Sequence, residues 1–197
     1  NKDFYGVNVT IPYKIEVMDY LSELSEEAEA IQAVNCIRIT HLPDGSVYLK
    51  GYNTDAYGFE ASLKPLLAPH DKKALILGNG GAAKAVTYAL DQLNIAYKLV
   101  SRTKQVDNYT YDELDETILA EHTLIVNCSP IGTFPNIAES PALPYEYIND
   151  KHLLYDLIYN PEETTFLKKG REKGARIKNG YEMLLLQAEK NWEIWNS

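Results

Sequence analysis

The chain has 197 residues, 45% of them hydrophobic, and a formal net charge of −9. That length holds one large domain or two small ones around an ordinary soluble core. The acidic balance argues against nucleic acid as a partner, because nothing basic offsets phosphate repulsion, but it leaves room for an anionic small molecule held by local charge.

The chain opens on Asn1-Lys2-Asp3 without an initiator methionine and runs almost at once into a dense motif, which reads as a chain whose beginning has been removed. Tyr5 to Thr10 reads as a strand end. Pro12 suits the first turn of a helix, where its missing N–H costs nothing. Ile15, Met18, Leu21 and Leu24 recur every third residue and would give that helix an apolar stripe. Lys14 would sit in the first turn, against the helix dipole. That field, with partial burial, would suit Lys14 to proton transfer at neutral pH; the plainer reading is a solvated lysine. A second amphipathic stretch runs from Glu26 to Gln32. Ala33 to Thr40 then alternates like a strand, Pro43-Asp44-Gly45 supplies turn chemistry, and Val47-Tyr48-Leu49 returns as the partner of a hairpin. Asn53-Thr54-Asp55 leads into a helix through Tyr57 to Leu67. Residues of those three types at a helix start are usually caps, so Asp55 reads either as a cap or as a site carboxylate. Pro65, Pro69 and the polar Asp71-Lys72-Lys73 punctuate a boundary.

The next stretch organises the rest. Lys73 to Leu77 is an apolar run of strand length, followed by Gly78-Asn79-Gly80-Gly81-Ala82-Ala83, a helical pattern on Ala85, Val86, Ala89, Leu90 and Leu93, and a second strand from Ala96 to Val100. Strand, glycine turn, helix and strand make a βαβ unit with a dinucleotide fingerprint, although glycine turns also serve as plain connections. Gly78 would permit the tight turn, Gly80 would let the backbone approach a pyrophosphate, and Ala83 would allow close helix–strand packing. The pyrophosphate would rest on the free N–H groups of the helix starting near Gly81. Beyond the second strand the chain reads Ser101-Arg102-Thr103-Lys104, with two cations and no acid. A carboxylate there would favour NAD; Arg with Ser and Thr suits a 2′-phosphate, so NADP is the expected cofactor, against the alternative of a solvated basic loop.

Asp107 to Glu121 is acidic and weakly helical. Thr123 to Val126 is a further buried strand ending at Asn127-Cys128-Ser129, a loop that should flank the cofactor at the carboxyl end of the sheet. Pro130 to Pro144 is a long proline-studded loop, either a connector or a flap. Leu153 to Ile158 is an apolar strand, Pro161 to Glu172 carries helix signals, and Ala175-Arg176-Ile177 is a last short strand. Asn179-Gly180 turns into a final helix whose Met183, Leu184, Leu186 and Ala188 make an apolar face, completed by Trp192 and Trp195. Cys36 and Cys128 are expected to stay reduced, and His41, His70, His122 and His152 form no metal-ligand spacing, so no metal is expected. No apolar run approaches membrane-spanning length and no signal peptide is visible, so a cytoplasmic protein without a membrane partner is expected.

Asn8-Val9-Thr10-Ile11-Pro12-Tyr13-Lys14, Ala33-Val34-Asn35, Gly51 to Gly58, Gly78 to Ala82, Asn127 to Gly132, and Gly180 to Leu184 with Gln187-Ala188 occur in the order and spacing of the shikimate dehydrogenases. The chain resembles that family over nearly its whole length. The resemblance implies an α/β protein with a Rossmann-like NADP-binding domain, residues 67–179, and a smaller discontinuous α/β substrate domain, residues 1–66 and 180–197. It implies reversible hydride transfer between NADP(H) and the 3-position of shikimate or 3-dehydroshikimate, in chorismate and aromatic amino-acid biosynthesis. Lys14 and Asp55 would face one another across the substrate and handle the proton of the reacting hydroxyl, with either as the formal base. Thr10, Asn35, Tyr159 and Gln187 would contact the substrate. Gly78, Asn79, Gly80, Gly81, Ala82, Ser101, Arg102, Thr103, Lys104, Asn127, Ser129, Leu157, Gly180 and Met183 would surround the cofactor. Asn8 reads as structural, bonding its own backbone, and Glu182 as a surface residue.

The family carries an additional N-terminal strand and helix with two serines that bind the shikimate carboxylate, and nothing here corresponds to it. The substrate domain is therefore expected to be incomplete. Two alternatives stand beside the leading one: a quinate/shikimate dehydrogenase using NAD, and a non-catalytic NADP-binding fragment. The oligomer is expected to be a monomer or a homodimer.

Overall fold

In the computed structural model, which describes residues 4–197, the chain first builds a small sheet. Its strands are β1 (Gly6–Asn8), β2 (Glu23–Leu24), β3 (Cys36–His41) and β4 (Val47–Tyr52), with α1 (Glu26–Ile31) before β3 and α2 (Asp55–Leu63) after β4. The order is β1-β3-β4-β2; β3 is antiparallel to both its neighbours and β2 runs parallel to β4. The hairpin of β3 and β4 closes where the Pro43-Asp44-Gly45 turn predicts, with Asp44 Oδ1 accepting the Ser46 N–H at 2.9 Å.

The segment expected as a helix after Pro12 is not one. Residues 11–15 form turns, a five-residue 3-10 helix covers Glu16–Tyr20, and the chain then pairs as β2. The spacing explains it. A strict repeat of three matches the three residues per turn of a 3-10 helix and lacks the i+4 partners of an α-helix. Met18, Leu21 and Leu24 do pack beneath the sheet with Ala28, Val34 and Ile37, while Ile15 is exposed. Lys14 therefore lies in a turn, and no helix dipole acts on it.

The second sheet comprises β5 (Lys73–Leu77), β6 (Ala96–Ser101), β7 (Asn108–Thr110), β8 (Leu124–Asn127), β9 (Leu153–Asp156) and β10 (Arg176–Lys178), all parallel, in the order β10-β9-β8-β5-β6-β7. This is the doubly wound order, with its switch point between β5 and β8. Helices α3 (Gly81–Gln92), α4 (Glu116–Glu121) and α5 (Thr165–Glu172) belong to it. Both faces are covered, so the strands read as continuous apolar runs. Ala74 and Ile76 face α3, whereas Leu75 and Leu77 face Leu119, Phe166 and Leu167. Strand β7 falls inside the stretch expected to be weakly helical. Asn108-Tyr109-Thr110 has no apolar run to announce it and is extended because it zips onto the edge of β6.

The last helix, α6 (Tyr181–Asn196), returns to the first sheet: it packs along α2, and Trp195 Nε1 donates to Ile37 O at 3.1 Å. Its inward face differs from the apolar stripe expected. Met183 and Asn191 are buried, while Ala188 and Trp192 face solvent. The inner stripe runs Met183, Gln187, Asn191, Trp195 at spacing four, and two amides within it hide it from an apolar pattern. Gly58 lets the two helices approach; a Cβ there would lie 2.6 Å from Met183 O and 3.1 Å from Gln187 Cβ.

Candidate active site

Backbone pairing brings three sequence-distant pieces to one place. Val9 N donates to Asn35 O at 2.8 Å and Val34 N to Lys14 O at 2.7 Å, so residues 9–14 lie against residues 34–35. Asn35 N reaches Tyr52 O at the end of β4, beside the start of α2. There Asn53, rather than Asp55, does the capping: its Oδ1 accepts the Ala56 N–H and its Nδ2 holds Ala33 O. Asp55 is left to turn inward. Lys14 Nζ donates to Asp55 Oδ2 at 2.5 Å, with both side chains about 15% exposed. The other carboxylate oxygen, Oδ1, accepts from Asn35 Nδ2 at 2.9 Å.

The pair lies in a cleft of about 350 Å³ lined also by Thr10, Asn35, Tyr159 and Gln187, the four residues expected to touch substrate. Ala82, Leu157, Gly180 and Met183, expected at the cofactor, line the same cleft. Asn35 is 4% exposed and its amide is engaged by Thr54, Asp55 and Gln187, whereas Thr10 and Tyr159 face outward. A larger hollow, about 420 Å³, lies behind Asn53 and Thr54 between α2, α3 and α6. It holds neither member of the pair, and its own Lys190 sits over the Tyr57 ring.

The nucleotide side is built at the switch point. Gly78 has φ +105°, a left-handed conformation that favours glycine, and its N–H holds Val100 O. No side chain caps α3, and nothing lies within 4 Å of a Cβ built on Gly80 or Gly81. Asn79 is exposed beside them. Asn127 and Ser129 brace the neighbouring loop: Asn127 Oδ1 accepts from the Ser129 hydroxyl and N–H, and Asn127 Nδ2 donates to Asp156. Of the group at the end of β6, Ser101 Oγ donates to Thr103 O, and Lys104 is tied to both Glu113 oxygens at 2.7 and 2.8 Å. Arg102 makes no hydrogen bond or ion pair among the described residues.

The proline-studded loop is fastened: Phe134 N reaches Asn160 O, Thr165 holds Ile137 O, Lys169 holds Ser140, and Leu143 is buried. Asn8 bonds across the fold, accepting from Asn191 Nδ2 at 2.7 Å rather than turning onto its own backbone. Asn191 itself escaped the sequence reading; its one signal is the four-residue step from Gln187 on a helix face. Among the described residues no cluster of side chains suits a metal and no helix is long and apolar enough to cross a membrane.

Comparison with known proteins meets this geometry. The shikimate dehydrogenase substrate binding domain family matches residues 1–37. A shikimate dehydrogenase (NADP(+)) of Clostridium beijerinckii is 43% identical over 96% of this chain and 71% of its own length. The chain belongs to the shikimate dehydrogenase family. A crystal structure of a Thermus thermophilus shikimate 5-dehydrogenase in complex with NADP(H) and shikimate superposes with TM-score 0.83 at 32% identity, covering 98% of this chain and 74% of that one. A second shikimate dehydrogenase, in complex with NADP+, gives the same TM-score at 35% identity, covering 98% and 71%.

Proposed function

We propose that Lys14 and Asp55 are the proton-handling pair of this NADP-dependent shikimate dehydrogenase, and that Thr10, Asn35, Tyr159 and Gln187 bind the substrate beside them. The carrying observation is the 2.5 Å contact between Lys14 and Asp55 in a cleft that residues of the glycine turn and of α6 also line. Family membership makes the reaction the reversible oxidation of shikimate to 3-dehydroshikimate with NADP+, a step of aromatic amino-acid (chorismate) biosynthesis. Residues 1–66 and 180–197 would serve the substrate, and residues 67–179 the nucleotide.

The residues present fit NADP. The open space over Gly80 and Gly81, where a Cβ would intrude on a ligand, lies against the uncapped start of α3. Arg102, without a hydrogen-bond or ion-pair partner among the described residues, supplies a cation for the 2′-phosphate. When bound, the nicotinamide supplies the hydride acceptor. As the C–H hydride leaves, the substrate hydroxyl gives its proton to the Lys14–Asp55 pair and the carbon–oxygen bond becomes a carbonyl. Asn35 holds Asp55 Oδ1, so Oδ2 is the oxygen that shares the proton with Lys14. Val9, Ile11, Leu157 and Leu184 wall the cleft with apolar surface and thin the water around the pair.

The test is NADP-dependent shikimate oxidation by the wild type and by Lys14→Ala. The variant should lose about 10²–10⁴-fold in kcat while binding NADP as before. Turnover retained within about tenfold would remove Lys14 from the chemistry.

A further inference from the structure

Asn191 has no part in the chemistry above, yet it is 1% exposed and its side chain bonds Asn8 and Gln187, which line the cleft, and Thr54, the residue before Asp55. Its Oδ1 accepts the Thr54 hydroxyl at 2.5 Å. Its Nδ2 donates to Gln187 Oε1 at 3.1 Å and to Asn8 Oδ1 at 2.7 Å. One amide thus joins the end of β1, the start of α2 and the inner face of α6.

We infer that Asn191 is a positioning residue that sets the hydrogen-bond polarity of the substrate site, holding Gln187 as an N–H donor and Asn35 with its nitrogen on Asp55. The inference rests on reading the cleft as the shikimate site. A threonine hydroxyl has one proton. At Thr54 that proton goes to Asn191, 2.5 Å away, and not to Asn35 Oδ1 at 3.2 Å. Thr54 Oγ1 then only accepts, from Asn35 Nδ2 at 3.0 Å, and the second N–H of Asn35 reaches Asp55 Oδ1 at 2.9 Å. At Gln187, Asn191 Nδ2 gives an N–H to Oε1 at 3.1 Å, while Asn35 Nδ2, whose two hydrogens are already placed, lies 3.4 Å from the same oxygen. A reversed Gln187 amide would set N–H against N–H. Its Nε2 gives one N–H to Leu184 O at 3.0 Å and keeps the other as its remaining polar hydrogen for a bound hydroxyl.

Two substitutions separate the branches. Asn191→Asp keeps the size and the acceptor for Thr54 but replaces the donor facing Gln187. The Gln187 amide then reverses and offers its carbonyl to the substrate. The shikimate KM should rise about tenfold, with kcat held within about threefold and the NADP KM unchanged. Asn191→Leu also releases the Thr54 proton toward Asn35, so kcat should fall about a further tenfold. Ser62→Ala, which deletes a buried hydrogen bond to Tyr155 elsewhere on α2, should lower Tm and leave both constants in place. Side-chain amide NMR reads the same relay without turnover: Asn191→Asp should move the Gln187 NH2 resonances, and Asn191→Leu those of Gln187 and Asn35. An Asn191→Asp protein with the wild-type shikimate KM, or with unmoved Gln187 resonances, overturns the inference. A wild type that fails to oxidise shikimate sinks the functional reading instead, and the amide resonances still decide the role of Asn191.

Discussion

The two ends of the six-stranded sheet each bury an aspartate, and the two behave oppositely. Asp71 stands just before β5, at the N-terminal ends of the strands; Asp156 closes β9 at the C-terminal ends, beside the cleft. Burial works against charge on both. At Asp71 that is outweighed by the Ala68 N–H, the Arg176 guanidinium and the Thr123 hydroxyl, which hold the carboxyl below the usual carboxylate range. Asp156 accepts from Thr164, the Ile158 N–H and Asn127, but no cation among the described residues meets it, and burial pushes it up to about 6. Asp71 lies under a shallower layer of protein than Asp156 and has a cation beside it, and both differences favour its charge. The lower end uses a charged weld to bind the connection from α2 to the sheet, since Arg176 also holds Leu66 O. The upper end ties two site loops together with a carboxyl that gives up its charge more readily, near a crevice that takes an anionic dinucleotide.

Breaking the weld should have the larger effect. Asp71→Ala leaves Arg176, Thr123 Oγ1 and the Ala68 N–H without their acceptor. The expected cost is about 3 kcal/mol, the range for removing one partner of a buried pair. In a chain of this size that is a fall in Tm of roughly 6–12 °C, seen by calorimetry. A fall of under about 2 °C would mean that the lower end is held by strand pairing alone.

The upper end is tested by pH. The folded state keeps the Asp156 proton up to about 6, whereas the unfolded chain releases it near the ordinary carboxylate value of about 4. Between those values the folded state binds more protons, so the stability tied to this group is full at low pH and is lost as pH rises through about 6. A displacement of about two units corresponds to roughly 3 kcal/mol. Asp156→Asn should therefore gain stability relative to the wild type between about pH 4 and pH 7 in urea titrations. Parallel curves for the two proteins would show that Asp156 stays ionised throughout.

The same contrast governs what could be read from the sequence. The second sheet was legible because its signals are local: an apolar run, a glycine turn and a helical period within about thirty residues. Strand β7 was not, since Asn108-Tyr109-Thr110 becomes a strand only when β6 lies beside it. The segment from Pro12 to Leu24 misled for a related reason, its apolar spacing being read with the wrong period while β4 captured its end. At the site, the resemblance supplied Lys14 and Asp55, and the fold brings them together. Asn191 stayed hidden because a buried amide looks polar in sequence, and its partners Thr54, Asn8 and Gln187 come from three separate elements.

At the end of β6 the contrast between a paired and an unpaired charge recurs at the surface. Arg102 and Lys104 are two residues apart, and composition alone gives both to a 2′-phosphate. Lys104 is held by Glu113 and by Asn108 O at 2.8 Å, so its charge is neutralised and its reach is taken up inside the loop. Arg102 has no such partner among the described residues, and its planar fork suits a phosphate better than a tethered ammonium does. Arg102→Ala should raise the NADP KM about tenfold to a hundredfold and leave the NAD KM within about twofold, so the preference narrows. Lys104→Ala, the smallest effect expected, should leave the NADP KM within about twofold and show only as a slight fall in Tm, because an exposed pair contributes little. Equal losses of NADP affinity in the two variants would mean that Lys104 leaves Glu113 when the dinucleotide binds, and the loop would then have to re-form around its ligand.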